Sequence, residues 1–196
     1  MQRLSTCEKQ YFEPIYRMIF CETKLKGAFV IKPEKNVDER GFFARTYCKK
    51  EFEANGLNGT VVQSNISYNK KKGTFRGMHF QLPPFEEDKI VSCLQGAFLD
   101  FFVDMRENSP TFRQCMSVEL NAADGYSIYI PKRFAHGFFT LVDDTVIHYH
   151  MSEFYQPGYA SGFRFDDPAF NIQLPFAITT ISPRDAQFSD LLVPAD

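Results

Sequence analysis

GAFLDFFVDM, residues 96–105, decides the fold. Side chains alternate along a strand, so Phe98, Asp100, Phe102 and Asp104 share one face. Ala97, Leu99, Phe101, Val103 and Met105 share the other. The second face is wholly apolar, and the first mixes aromatic rings with carboxylates, as a half-wet interior would. Outward from this stretch the same short-strand pattern repeats. GAFVIKP (27–33), GFFARTY (41–47), GTVVQSNISY (59–68), KIVSCLQ (89–95), RQCMSVEL (113–120), YSIYIP (126–131), GFFTLV (137–142) and TVIHYHMS (145–152) all read as strands. Turn residues punctuate them, with Arg-Gly at 76–77, Glu-Asn-Ser-Pro at 107–110, Ala-Asp-Gly at 123–125 and Asp-Asp at 143–144. Only two segments suit helices. One is 49–57, ended by Gly56; the other is 182–192, with Ser182 as N-cap and Pro183 at its first position. The crossover helices of a parallel sheet are missing, so the predicted class is all-β, an antiparallel sandwich or barrel with a few short helices.

The chain has 196 residues, 44% hydrophobic and 23% charged, which suits a single globular domain and excludes a disordered one. Twenty-two Lys and Arg against 24 Asp and Glu give a net charge of −2, so no basic field draws in nucleic acid. No apolar run is long enough for a membrane helix, and residues 1–20 lack the apolar stretch of a signal peptide. Cys7, Cys21, Cys48, Cys93 and Cys115 are odd in number and lack C-x-x-C spacing. They predict free thiols in a reducing cytoplasm rather than a disulfide framework or a structural zinc site.

All four histidines lie between residues 79 and 150. His79 follows Gly73, Arg76 and Gly77; His136 follows Pro131 at a strand end. His148 and His150 flank Tyr149 in a strand and face away from it, which suits a packing role. A glycine-rich turn, a histidine and a later Pro-x-x-x-x-His resemble a cupin. Metal cupins carry His-x-His and a nearby Glu, where this chain has His79-Phe80-Gln81, so no metal is expected. The G-x-S-x-G, P-loop and G-x-G-x-x-G patterns are absent. The remaining set is His79, Asp100, Asp104, Asp185, Lys89, Tyr149, Arg40 and Arg76. A histidine held by a carboxylate is a general base, a tyrosine can deliver a proton from the other side, and a lysine stabilises an oxyanion. Arginines bind a diphosphate bidentately. Together these residues point to proton abstraction beside a carbonyl on a phosphorylated substrate.

These residues sit in ordered pieces: DERGFFARTY (38–47), VVQSNISYNKKKGTFRGMHFQLPP (61–84), KIV (89–91), IYIPKRFAHGFFTL (128–141), IHYHMSEFYQPGYASGFRFDDPAFNI (147–172) and ISPRD (181–185). In that order they resemble the dTDP-4-dehydrorhamnose 3,5-epimerases, cupin-superfamily enzymes acting on deoxysugar nucleotides. The resemblance covers roughly residues 25–190 and sets 1–24 apart as an N-terminal extension to a single domain, 25–196. It implies a cupin-type jelly roll and no cofactor. His79 is then the base, Asp185 the carboxylate paired with it, Tyr149 the acid on the opposite face and Lys89 the residue near the C4 oxygen. His136 shares their wall, Arg40 and Arg76 surround the diphosphate and sugar, and Gln63 and Asn65 contact the substrate. The family implies a cytoplasmic homodimer with an exchanged N-terminal strand, so that the Arg40 region serves the partner's pocket, with no nucleic-acid or membrane partner. The chain departs from the family pattern at Phe80, usually tyrosine. It departs again at Phe165-Asp166-Asp167-Pro168 and Ile172-Gln173-Leu174-Pro175, which lack the usual tryptophans. The departures leave open a single-centre epimerase or one acting on a CDP- or GDP-linked sugar. A non-catalytic sugar-binding cupin and a metal-dependent one are the readings from other classes.

Overall fold

The computed structural model describes residues 17–191. Cys7 and most of the N-terminal extension lie outside that range. Fourteen strands and two α-helices follow one another in the order β1 Met18–Glu22, β2 Phe29–Pro33, β3 Asn36–Asp38, β4 Gly41–Phe43, α1 Lys49–Ala54, β5 Gln63–Asn69, β6 Thr74–Gln81 and β7 Lys89–Gln95. The chain continues through β8 Ala97–Asp104, β9 Cys115–Asn121, β10 Ser127–Ile130, β11 Phe134–Thr140, β12 Thr145–Met151, β13 Ala160–Gly162, β14 Thr180–Ile181 and α2 Pro183–Ala186. One sheet runs β1-β2-β10-β7-β12-β5, and the second runs β13-β6-β11-β8-β9 with β14 beside β6. Every pairing is antiparallel except β14 with β6. The expected all-β cupin-like sandwich is the architecture found. Residues 18–22 of the stretch set apart as an extension form β1, an edge of the first sheet.

The alternation of residues 96–105 has a direct structural meaning. Phe98 and Phe102 enter the core between the sheets, against Val91, Ile128, Phe138 and Ile147. Phe101 and Val103 enter a second core on the outer face of the second sheet, with Phe75, Met78, Phe163 and Phe170. The C-terminal segment covers that face through Phe165, Ile172, Leu174 and Phe176. The two positions that lack tryptophan, Phe165 and Leu174, therefore fill this outer core; Phe165 packs 5.0 Å from Phe75, ring centroid to centroid. On the first sheet, α1 lays the buried Phe52 over Ile31, Ile90 and Tyr129. Among the described residues no helix is long and apolar enough to cross a membrane. Cys21, Cys48, Cys93 and Cys115 are free thiols, and burial pushes those of Cys93 and Cys115 up to about 11.

Three local expectations change. Arg76-Gly77 is no turn but the middle of β6, a strand not expected from the sequence. The strand expected at 41–47 stops at Phe43, in a two-stranded hairpin with β3. The helix expected at 182–192 is the four-residue α2.

Candidate active site

β6 passes beside β11, and the glycines explain how closely. Gly77 has φ +128°, and a Cβ there would come within 2.4 Å of the Gly137 Cα. The two glycines let the backbones meet where the β6–β11 register shifts. This contact sets His79 directly across from His136.

Each histidine has its own carboxylate. His79 Nε2 lies 2.7 Å from Asp185 Oδ1. Ser182 caps α2 by accepting the Asp185 amide, and Asp185 Oδ2 accepts the Gly77 amide at 3.3 Å. Burial pushes the Asp185 carboxyl up, but His79, the Gly77 amide and Ser182 outweigh it and hold the group below its ordinary range. The Asp185 side chain is 5% exposed and that of His79 41%, so the imidazole reaches open space while its partner does not.

His136 Nε2 lies 2.7 Å from Asp100 Oδ1, with both side chains buried. Burial raises the Asp100 carboxyl, opposed by His136 and by the charge of Lys89. Asp100 Oδ2 is buried without a hydrogen-bond partner. Sequence reading placed Asp100 on the inner face and in the candidate set but gave it no partner; the structure pairs it with His136.

The opposite wall comes from the first sheet. Tyr149 stands on β12 across from Asn65 on one side and Val91 on the other. Its ring lies edge-on to His136 at 6.2 Å. Burial, then the charge of Asp100, pushes its phenol above the ordinary tyrosine value, against the pull of Arg76 and Ser67. Lys89 lies across from Met151, two positions along, with its ammonium 2.5 Å from Glu87 Oε1. Gln63, Asn65, Ser67 and Asn69 share one face of β5, and Gln63 Oε1 accepts the Tyr155 amide at 3.2 Å. Arg76 donates from Nε to Asn69 Oδ1 at 2.9 Å.

The structure thus brings His79, Asp185, His136, Tyr149, Lys89, Arg76, Gln63 and Asn65 to the two walls of one interior. It does not bring Arg40 there. That residue sits in the exposed β3–β4 hairpin and pairs with Asp38, so one chain does not assemble the expected two-arginine clamp. His148 and His150 point away from Tyr149 and share the Ser64 hydroxyl, at 2.9 and 3.1 Å. A cavity of about 860 Å³, lined by Phe80, Leu82, Arg106 and Arg133 among others, includes none of the site residues. Among the described residues no three His, Cys, Asp or Glu side chains cluster as a metal site would need.

Two walls carrying a histidine–aspartate pair and a tyrosine suit proton transfer to and from opposite faces of a bound sugar. Residues 22–192 match the family model described as dTDP-4-dehydrorhamnose 3,5-epimerase. The enzyme of that name from Sinorhizobium fredii is 39% identical over 170 residues, 86% of this chain and 87% of its own. The crystal structure of the Elizabethkingia anophelis enzyme superposes with a TM-score of 0.84 at 36% identity, covering 88% of this chain and 95% of that one. A Legionella pneumophila relative solved in complex with dTDP-4-keto-L-rhamnose reaches 0.83 at 34% identity, covering 88% and 92%. By model, sequence and structure, the chain belongs to the dTDP-4-dehydrorhamnose 3,5-epimerase family.

Proposed function

We propose that this protein epimerises a dTDP-linked 4-keto-6-deoxy sugar at the carbons flanking its ketone. The ketone acidifies the hydrogens at C3 and C5. His79, oriented by Asp185, takes one of them and leaves an enolate with its charge at O4. The Lys89 ammonium stabilises that charge, a contribution typically worth about 3–4 kcal/mol. Tyr149, un-ionised because its phenol is raised, returns a proton from the other side and inverts the centre. Arg76, Gln63, Asn65 and His136 hold the substrate. No redox partner enters, because the carbonyl is present from the start.

The observation that carries this reading is the division of labour between walls. The half-buried His79 of the 2.7 Å pair belongs to one sheet and Tyr149 to the other. Arg40 supports a homodimer reading: its hairpin pairs with neither large sheet of its own chain, as an exchanged N-terminal strand requires. All the site residues fall within 25–196, read as one catalytic domain whose first sheet also takes in β1, residues 18–22, working in the cytoplasm.

Tyr149→Phe tests the mechanism. In deuterium oxide with dTDP-4-keto-6-deoxyglucose, proton NMR should show hydrogen exchange at the substrate outlasting net inversion, which falls at least about 100-fold. The number of exchanging positions in the wild type gives the number of centres. Inversion and exchange both at wild-type rates in Tyr149→Phe would remove Tyr149 from the mechanism.

A further inference from the structure

Three consecutive carboxylates, Glu86, Glu87 and Asp88, lead into β7. Two have structural work. Glu86 Oε1 accepts from Arg133 Nε at 2.8 Å. Asp88 anchors the loop: Oδ1 takes the Lys132 amide at 3.0 Å, Oδ2 takes Asn58 Nδ2 at 2.9 Å, and its own amide donates to Ser152 Oγ at 2.7 Å. Held from three sides, the backbone next to Asp88 has little freedom.

Glu87 shares none of this work, yet it is buried, at 7% exposed. Its Oε1 lies 2.5 Å from Lys89 Nζ, and its Oε2 is buried with no hydrogen-bond partner. A buried carboxylate is costly unless its hydrogen-bonding capacity is met. A buried ion pair gains little stability over an apolar pair of similar volume. Folding alone therefore gives no reason for Glu87, and the reason lies with Lys89.

An ammonium on a four-carbon stem has many rotamers. A second carboxylate competes for it: Asp100 Oδ2 is buried and unpartnered, and the Lys89 charge already acts on that carboxyl. Without Glu87, the ammonium would swing onto Asp100 and leave the enolate oxygen unsupported.

We propose that Glu87 is a positioning residue of the epimerase: its carboxylate holds the Lys89 ammonium away from Asp100 and aimed at the oxygen where charge develops. The proposal rests on the role given to Lys89 above. Glu87 acts before the substrate arrives, because a preorganised charge costs no rearrangement during the reaction. It touches no substrate atom, so it governs kcat and not KM.

The experiment compares Glu87→Gln, Lys89→Met and the double variant in the full-length protein. The readouts are kcat and KM on the dTDP-4-keto sugar and the melting temperature. Glu87→Gln keeps the side-chain shape and removes the charge. It should lower kcat about tenfold with KM within about twofold, since small misplacements of an aimed group have effects of that order or larger. Lys89→Met should lower kcat about 100-fold or more, and adding Glu87→Gln to it should lower kcat no further. Glu87→Asp, which withdraws the charge by one methylene, should show the same split and serves if the glutamine variant does not fold. Wild-type kcat in Glu87→Gln alongside a slow Lys89→Met overturns this proposal alone. So does a loss that multiplies in the double variant, or one that appears in KM. Wild-type kcat in Lys89→Met overturns the Lys89 role itself, and with it this proposal.

Discussion

His79 and His136 stand opposite each other across two strands, each 2.7 Å from an aspartate, yet they are made for different tasks. The His79 side chain is 41% exposed and that of His136 7%. A base must reach its substrate, and an exposed imidazole does. A buried imidazole beside a fully buried aspartate is first of all the counterpart of that carboxylate. Substitution should separate the two. His79→Asn is expected to lower turnover by about 10²–10⁴ with little change in melting temperature. His136→Asn takes away the hydrogen-bond partner of the buried Asp100 carboxyl and is expected to cost about 1–3 kcal/mol, the usual penalty for leaving a buried polar group unsatisfied. Calorimetry and turnover on both variants check this, and equal stability losses would contradict it. Part of the contrast was legible in the sequence: alternation in 96–105 put Asp100 on the inner face. Its partner was not, because that depends on the β8–β11 register, which sets Asp100 against Phe138 and Phe102 against His136. The Asp185 pairing spans 106 positions and was available only through the family resemblance.

At the scale of the element, strands with clean alternation were readable and β6 was not. Its Arg76-Gly77 looks like a turn because glycine and arginine carry no apolar rhythm. What makes it a strand is Gly137, 60 positions away, which leaves room for the backbone to pass. Gly41 is the useful comparison: its φ is +129°, close to the +128° of Gly77, but nothing lies within 4 Å of an added Cβ. Gly41→Ala is therefore expected to cost only the backbone strain, about 1–2 kcal/mol. Gly77→Ala adds a backbone clash and should cost about 3 kcal/mol or more, with turnover falling as His79 shifts. Melting curves that match for the two variants would refute the close approach. At the end of β8, Asp104 is fully buried. Burial raises its carboxyl, but Arg106, Ser109 and Thr111 more than offset this and bring it down to about 2. Its ordinary value is about 3.9. The group is thus more acidic folded than unfolded, and its stabilisation, roughly 2 kcal/mol, is present above about pH 4 and fades as the pH falls toward 2. Asp104→Asn should lose that amount at pH 7 and flatten the acid side of the stability curve; an unchanged acid midpoint would count against it.

For the whole molecule, the composition, the paucity of helix and the short strands made an all-β sandwich readable, because two sheets that bury both faces leave a strong apolar signature. The place of Arg40 was not readable in the same way. Its hairpin is exposed, with Val37 at 72%, Phe42 at 57% and Phe43 at 61%, and it pairs with neither large sheet. Under the homodimer reading, an exchanged strand would place this exposed hairpin, with Val37 and Phe42, against the other copy. In that arrangement Arg40 completes the site of the other copy, which a mixing experiment can decide. Arg40→Ala and His79→Asn homodimers should each be poorly active, the first through weak diphosphate binding and the second through loss of the base. Unfolded and refolded together in equal amounts, they form heterodimers in which one site carries both substitutions and the other carries neither. About half of the dimers are then mixed, and about a quarter of all sites are intact, by simple pairing statistics for a twofold assembly. Activity should therefore rise to about a quarter of wild type, with wild-type KM. If Arg40 serves its own chain, every site in the mixture keeps one substitution and no activity returns.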